Sequence, residues 1–163
     1  MVRSTRPALF AAAVLLGLAV VAGPAASRAE DHEHPTGDQA AAGTIQRTPR
    51  PADAKLYIIS PANGETVSSP VTIRFGLAGM GVAPAGVATP NTGHHHLVID
   101  APLPPLDKPL PKDDNHIHFG GGQTETTIPL PPGKHTIQLV LADKDHVPHD
   151  PPLVSVPVTF TVQ

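Results

Sequence analysis

The chain has 163 residues, 14 acidic against 11 basic, ten histidines, one tyrosine, no tryptophan and no cysteine. Those totals leave room for one domain of ordinary size plus flanking sequence. They exclude disulfides, thiolate zinc sites and cysteine-ligated copper centres, and the acidic balance argues against a nucleic-acid partner.

The N-terminus reads as an export signal. Arg3 and Arg6 precede an apolar run from Ala8 to Val21, and small residues follow to Ser27-Arg28-Ala29. A basic start, a short apolar middle and a small-x-small end describe a secretory signal peptide over residues 1–29, with cleavage after Ala29. Loss of Arg3, Arg6 and Arg28 would take the net charge from −3 to about −6. The expected product is a periplasmic or secreted protein without a membrane span. Residues 30–54, rich in Glu, His, Ala, Thr, Gln and Pro, predict a disordered leader. If cleavage falls after Ala29, Glu30-Asp31-His32 would offer an amine, two amides and an imidazole, a square-planar nitrogen set for Cu(II) or Ni(II).

Residues 55–163 carry short strand signals and no sustained helical period. Leu56-Tyr-Ile-Ile is followed by the turn cluster SPANG, and VTIRFGL alternates with Val71, Ile73, Phe75 and Leu77 on one face. A Gly/Ala/Pro-rich loop from Ala78 to Gly93 leads to GHHHLVID, and a Pro-rich loop runs from Ala101 to Asn115. After it come HIHF, a glycine turn at Gly120 to Gly122, TETTIPL, the turn PPGK, and HTIQLVLAD with Ile137, Leu139 and Leu141 on one face. Val154, Val156, Val158, Phe160 and Val162 then alternate with polar residues, and Pro157 within that run points to an edge or a bulge. About seven strands punctuated by Pro and Gly predict an all-β, immunoglobulin-like β-sandwich. Two loops of about fifteen residues exceed what a compact domain usually carries, which suggests that they shape a site.

Eight of the ten histidines lie between His94 and His149. Alternation places His94 and His96 on the face opposite His95, Leu97 and Ile99, and His116 and His118 opposite Ile117 and Phe119. Adjacent strands would let these four rings converge on one ion, with metal–nitrogen bonds of about 2.0–2.1 Å. Neutral imidazole suits copper, zinc and nickel, so copper or zinc ligation by His94, His96, His116 and His118 is expected. His146 and His149, in ADKDHVPHDPP, would cap that site or complete another with Asp143, Asp145 or Asp150. His95 on the apolar face reads as a buried, hydrogen-bonded ring supporting the ligands. His135, on an apolar row, reads as structural or supporting. Gln123 and Glu125 are candidate acceptors for ligand N–H groups. Met80 could offer a thioether, or pack beneath its loop.

The strings GHHHLVID, HIHFGGGQTETTIPLPPGKHTIQLVLAD and HVPHDPP resemble a bacterial exported family known as domain of unknown function 4399, over Leu56 to Val162. The resemblance implies a small exported β domain with no assigned activity. More loosely, SPANGETVSSPVTIRF is similar to the opening strands of CopC-type periplasmic copper-resistance proteins, which are immunoglobulin-like. Those use an N-terminal histidine as a copper ligand, whereas the predicted cleavage here exposes Glu30.

Three functions compete. An exported domain could sequester or deliver copper or zinc, alone or to another exported protein. A structural or interaction sandwich could use its histidines as scaffold or as a pH-sensitive patch. A metal-dependent enzyme would need an open coordination position and a base such as Glu125 or Asp100. No nucleophile motif, phosphate-binding loop or HExxH string supports catalysis.

Overall fold

A computed structural model describes residues 45–163, and the expected signal peptide and most of the expected leader lie outside them. Among the described residues there is no helix, and hence none long and apolar enough to cross a membrane. Ten strand segments follow in order: β1 Lys55–Ser60, β2 Thr66–Val67, β3 Val71–Ala78, β4 Gly81–Val82, β5 Thr92–Ile99, β6 His116–His118, β7 Glu125–Ile128, β8 Gly133–Ala142, β9 Pro148–Val154 and β10 Val158–Val162.

The all-β, two-sheet reading holds. One sheet has the order β1-β3-β7; the other runs β2-β10-β8-β5-β4, with β6 paired to β5 and β9 to β8. The count exceeds seven partly because β2 and β4 are two-residue segments pairing in parallel with β10 and β5. It also rises because the expected single strand at 154–162 is two. Ser155 turns inward, where its hydroxyl accepts the Leu139 amide at 2.9 Å, and Val156 is left 73% exposed. Pro157, which has no amide to donate, falls in the break.

Alternation builds the core. Leu56, Val71, Ile73 and Phe75 from the smaller sheet meet Leu97, Ile99, Ile137, Leu139, Leu141, Phe160 and Val162 from the larger one. Each large apolar side chain so removed from water contributes about 1.5–3 kcal/mol.

The larger sheet is covered on its other side too. Val98, Val140 and Ala142 pack beneath Leu110, with Leu103 and Leu106 of the Pro-rich loop alongside. That cover explains why seven of the eight residues of β5 are buried although alternate ones point away from the main core. Residues 47–50, read from sequence as part of the disordered leader, lie along β9. Arg47 donates to the carbonyls of Pro148 and His149 and pairs with Asp150, and Pro49 forms a bridge with Asp150.

Candidate metal centre

The site forms on the covered outer face of β5. In the β5–β6 ladder His96 stands opposite His118, and on β5 His94 lies two residues away on the same face. The tight turn between β8 and β9 adds a fourth ring, His146. Asp143 builds this turn: its Oδ1 accepts the amides of Asp145 and Val147, and its carbonyl accepts the His146 amide at 3.0 Å. His146 adopts φ +67°, a left-handed conformation that histidine tolerates better than most residues. Both long loops anchor this turn. Gly86 donates to the Lys144 carbonyl and Leu110 to the His146 carbonyl.

The four rings are mutually close. Ring centroids lie 4.9 Å apart for His94–His96, 5.0 Å for His94–His118, 5.0 Å for His94–His146, 5.0 Å for His96–His118, 5.9 Å for His96–His146 and 4.7 Å for His118–His146. One ring nitrogen from each of His94, His96 and His118 falls within 4.8 Å of the others. The Nε2 atoms of His94 and His96 are 3.0 Å apart, so one ring donates its proton to the other. Nδ1 of His94, Nδ1 of His96 and Nε2 of His118 are buried and have no hydrogen-bond partner.

The electrostatics keep the rings of His94, His96 and His118 neutral. Burial, reinforced by His146 and His118, lowers the His94 pKa to about 4. Burial, with His94 and His118 beside it, lowers His96 to about 2. His118 is lowered by burial, then by His146 and Lys112. Neutral imidazoles keep a free lone pair, the form that binds a metal ion.

Not every sequence candidate joins the cluster. His116 shares its face but pairs with Val98, and its Nδ1 donates to Asp113 Oδ1 at 2.8 Å. His149 belongs to β9 rather than to a loop, and its Nε2 donates to the Thr92 carbonyl. Its ring lies on the core side of β5, where a Cβ on Gly93 would come within 3.0 Å of Cε1. His95 also faces the core, its ring tilted against Phe75 with centroids 5.1 Å apart and Nδ1 donating to the Gln123 carbonyl. It therefore stands across the backbone from the cluster. Glu125 is on the other sheet, exposed, and bonded to Arg74, so it orients no imidazole; the Gln123 side chain accepts from the Gly121 amide instead. Met80 packs against the main core. His135 donates through Nδ1 to Asp100 and through Nε2 to the Pro131 carbonyl, a structural arrangement.

Asp145 and Asp150 pair with Lys144 and Arg47, and Asp143 is occupied by the turn and by Thr48. Sequence reasoning missed the role of Gly120. A Cβ there would lie 2.6 Å from His118 Nε2, so only glycine lets that ring lie against the backbone. The glycine triplet after HIHF was the available signal.

A family model described as "Domain of unknown function (DUF4399)" matches residues 73–163, which include all four clustered histidines. The chain belongs to the DUF4399 family. Comparison with curated proteins and with solved structures finds no significant match. Membership in DUF4399 carries no activity with it, and any functional reading rests on the histidine cluster.

Proposed function

We propose that this DUF4399 domain is an exported metal-binding module that sequesters or delivers a transition metal ion held by His94, His96 and His118. One observation carries the reading: a ring nitrogen from each of these three residues lies within 4.8 Å of the others, and each ring also has a buried nitrogen without a hydrogen-bond partner. Buried polar atoms in folded proteins are almost always satisfied, and leaving one unpaired costs about 1–3 kcal/mol. A metal ion at the focus of the three rings would take up their converging lone pairs. A scaffold role is less well supported, because the scaffold ring of His135 is satisfied at both nitrogens whereas the three converging rings are not. A periplasmic or secreted location follows from the predicted signal peptide.

The test is titration of the protein, purified without an affinity tag, with Zn(II) and Cu(II), alongside His94→Ala/His96→Ala. Binding near one equivalent that disappears in the double variant supports the proposal. An ion bound only by the folded state must also stabilise it, by about 2.7 kcal/mol at a hundredfold excess over Kd, and so raise the melting temperature. Unchanged melting and no retained ion would refute it.

A further inference from the structure

The arrangement of the four rings speaks to coordination geometry. Five of the six centroid separations among His94, His96, His118 and His146 fall between 4.7 and 5.0 Å, and the sixth is 5.9 Å. Four points with nearly equal separations form a tetrahedron. A square array with sides of about 5 Å, as a planar Cu(II) or Ni(II) site would impose, needs two diagonals of about 7 Å.

The size fits as well. A tetrahedron with edges of about 5 Å has its centre about 3.1 Å from each corner. An ion bonded at about 2.0–2.1 Å to an imidazole nitrogen lies about 3.2 Å from the ring centre when that nitrogen points at it; nitrogens of His94, His96 and His118 already lie within 4.8 Å of one another, whereas the His146 ring must turn to bring a nitrogen into that group.

The donors are chemically uniform. Among the described residues no cysteine exists, Met80 packs against the main core, and the neighbouring carboxylate of Asp143 is committed to turn amides and to Thr48 Oγ1 at 2.7 Å. The Asp143 turn holds His146 over the other three rings, and Leu110 fastens it from the Pro-rich loop.

We propose that His146 is a fourth ligand and that the site is a closed, tetrahedral four-imidazole centre suited to Zn(II) rather than to Cu(II) or Ni(II). This deepens the metal-binding reading and rests on it. General affinity order favours Cu(II) at nitrogen sites, so the selectivity comes from geometry; Zn(II), with a filled d shell, accepts a tetrahedron without penalty. Four protein ligands leave no position for a reacting water, which makes the centre one for holding an ion and not for hydrolysis.

The experiment uses Co(II), a visible-absorbing substitute for Zn(II), with the untagged protein and His146→Asn. Asparagine tolerates the left-handed backbone at this position, so the variant removes the ring without straining the turn. The wild type should bind one Co(II) with the intense visible bands of tetrahedral cobalt, and Zn(II) should displace it. His146→Asn should still bind Co(II), but with the weak bands of higher coordination and with Zn(II) affinity lowered about 10–100-fold. Stoichiometric binding with weak wild-type bands, or an unchanged spectrum in His146→Asn, would overturn the four-ligand site and leave metal binding standing. Failure of the wild type to bind either ion would overturn both.

Discussion

His96 and His118 form a registered cross-strand pair with ring centroids 5.0 Å apart, whereas His116, on the same strand and the same face, sits opposite Val98. Register, not residue type, thus separates a candidate ligand from its neighbour. His118→Ala should weaken Zn(II) binding by about 100-fold or more, at least the upper range for losing a ligand's supporting partner. His116→Ala should leave affinity within a few-fold. It should instead lower stability slightly through the lost bond to the exposed Asp113 carboxylate. Calorimetric titration and denaturant unfolding of the two variants check both halves.

Gly120 offers a way to disturb the centre without deleting a ligand. Adding a Cβ places carbon 2.4 Å from His118 Cε1 and 2.6 Å from Nε2, so the ring must swing away. Because the obstacle is a side chain on a short three-residue strand, the sheet should survive. Gly120→Ala is expected to melt within a few degrees of the wild type without metal, yet to lose the stabilisation that added Zn(II) gives. A variant that binds and stabilises normally would show that the His118 ring position does not matter.

Much of this arrangement was legible from alternation alone. His94 and His96 had to face away from Leu97 and Ile99, and His118 away from Phe119, whatever the topology. The pairing of β5 with β6 was not legible, because a loop of about fifteen residues does not dictate which strands meet. The His146 contribution was only half legible: composition marked the loop, but a left-handed backbone and an Asp143-built turn aim the ring. The expected strand at 154–162 failed because an inward Ser155 outweighed the valine alternation, its hydroxyl meeting the Leu139 amide. His149 was misplaced for a related reason, since prolines on both sides suggested a loop where β9 runs along an edge of β8.

Arg47 ties the segment before β1 to β9 through the Pro148 and His149 carbonyls and Asp150, while Thr48 bonds Asp143. Arg47→Ala should therefore destabilise the domain by about 1–2 kcal/mol, a normal loss for charge-assisted bonds that are partly exposed. Since Asp143 positions the His146 turn, Thr48→Val should speed release of bound Zn(II) more than it alters stoichiometry. Chelator-chase kinetics on wild type and Thr48→Val measure this, and equal release rates would dissociate the segment from the centre.

His135 provides a pH-dependent term with a definite sign. Burial by itself would lower its pKa, but hydrogen bonds to Asp100 Oδ2 at 2.7 Å and to the Pro131 carbonyl outweigh it, and the pKa is raised. A histidine whose folded pKa exceeds the unfolded value, about 6.5, stabilises the fold fully below that value. The contribution then fades as pH rises through the folded pKa. The stability difference between wild type and His135→Gln should accordingly be larger near about pH 5.5 than near about pH 8. Asp100→Asn should remove the same dependence while leaving the bond from the Thr136 amide to the side-chain oxygen. Metal-free denaturant unfolding across that range isolates the term, and a difference that grew with pH would reverse the assignment of the charged pair.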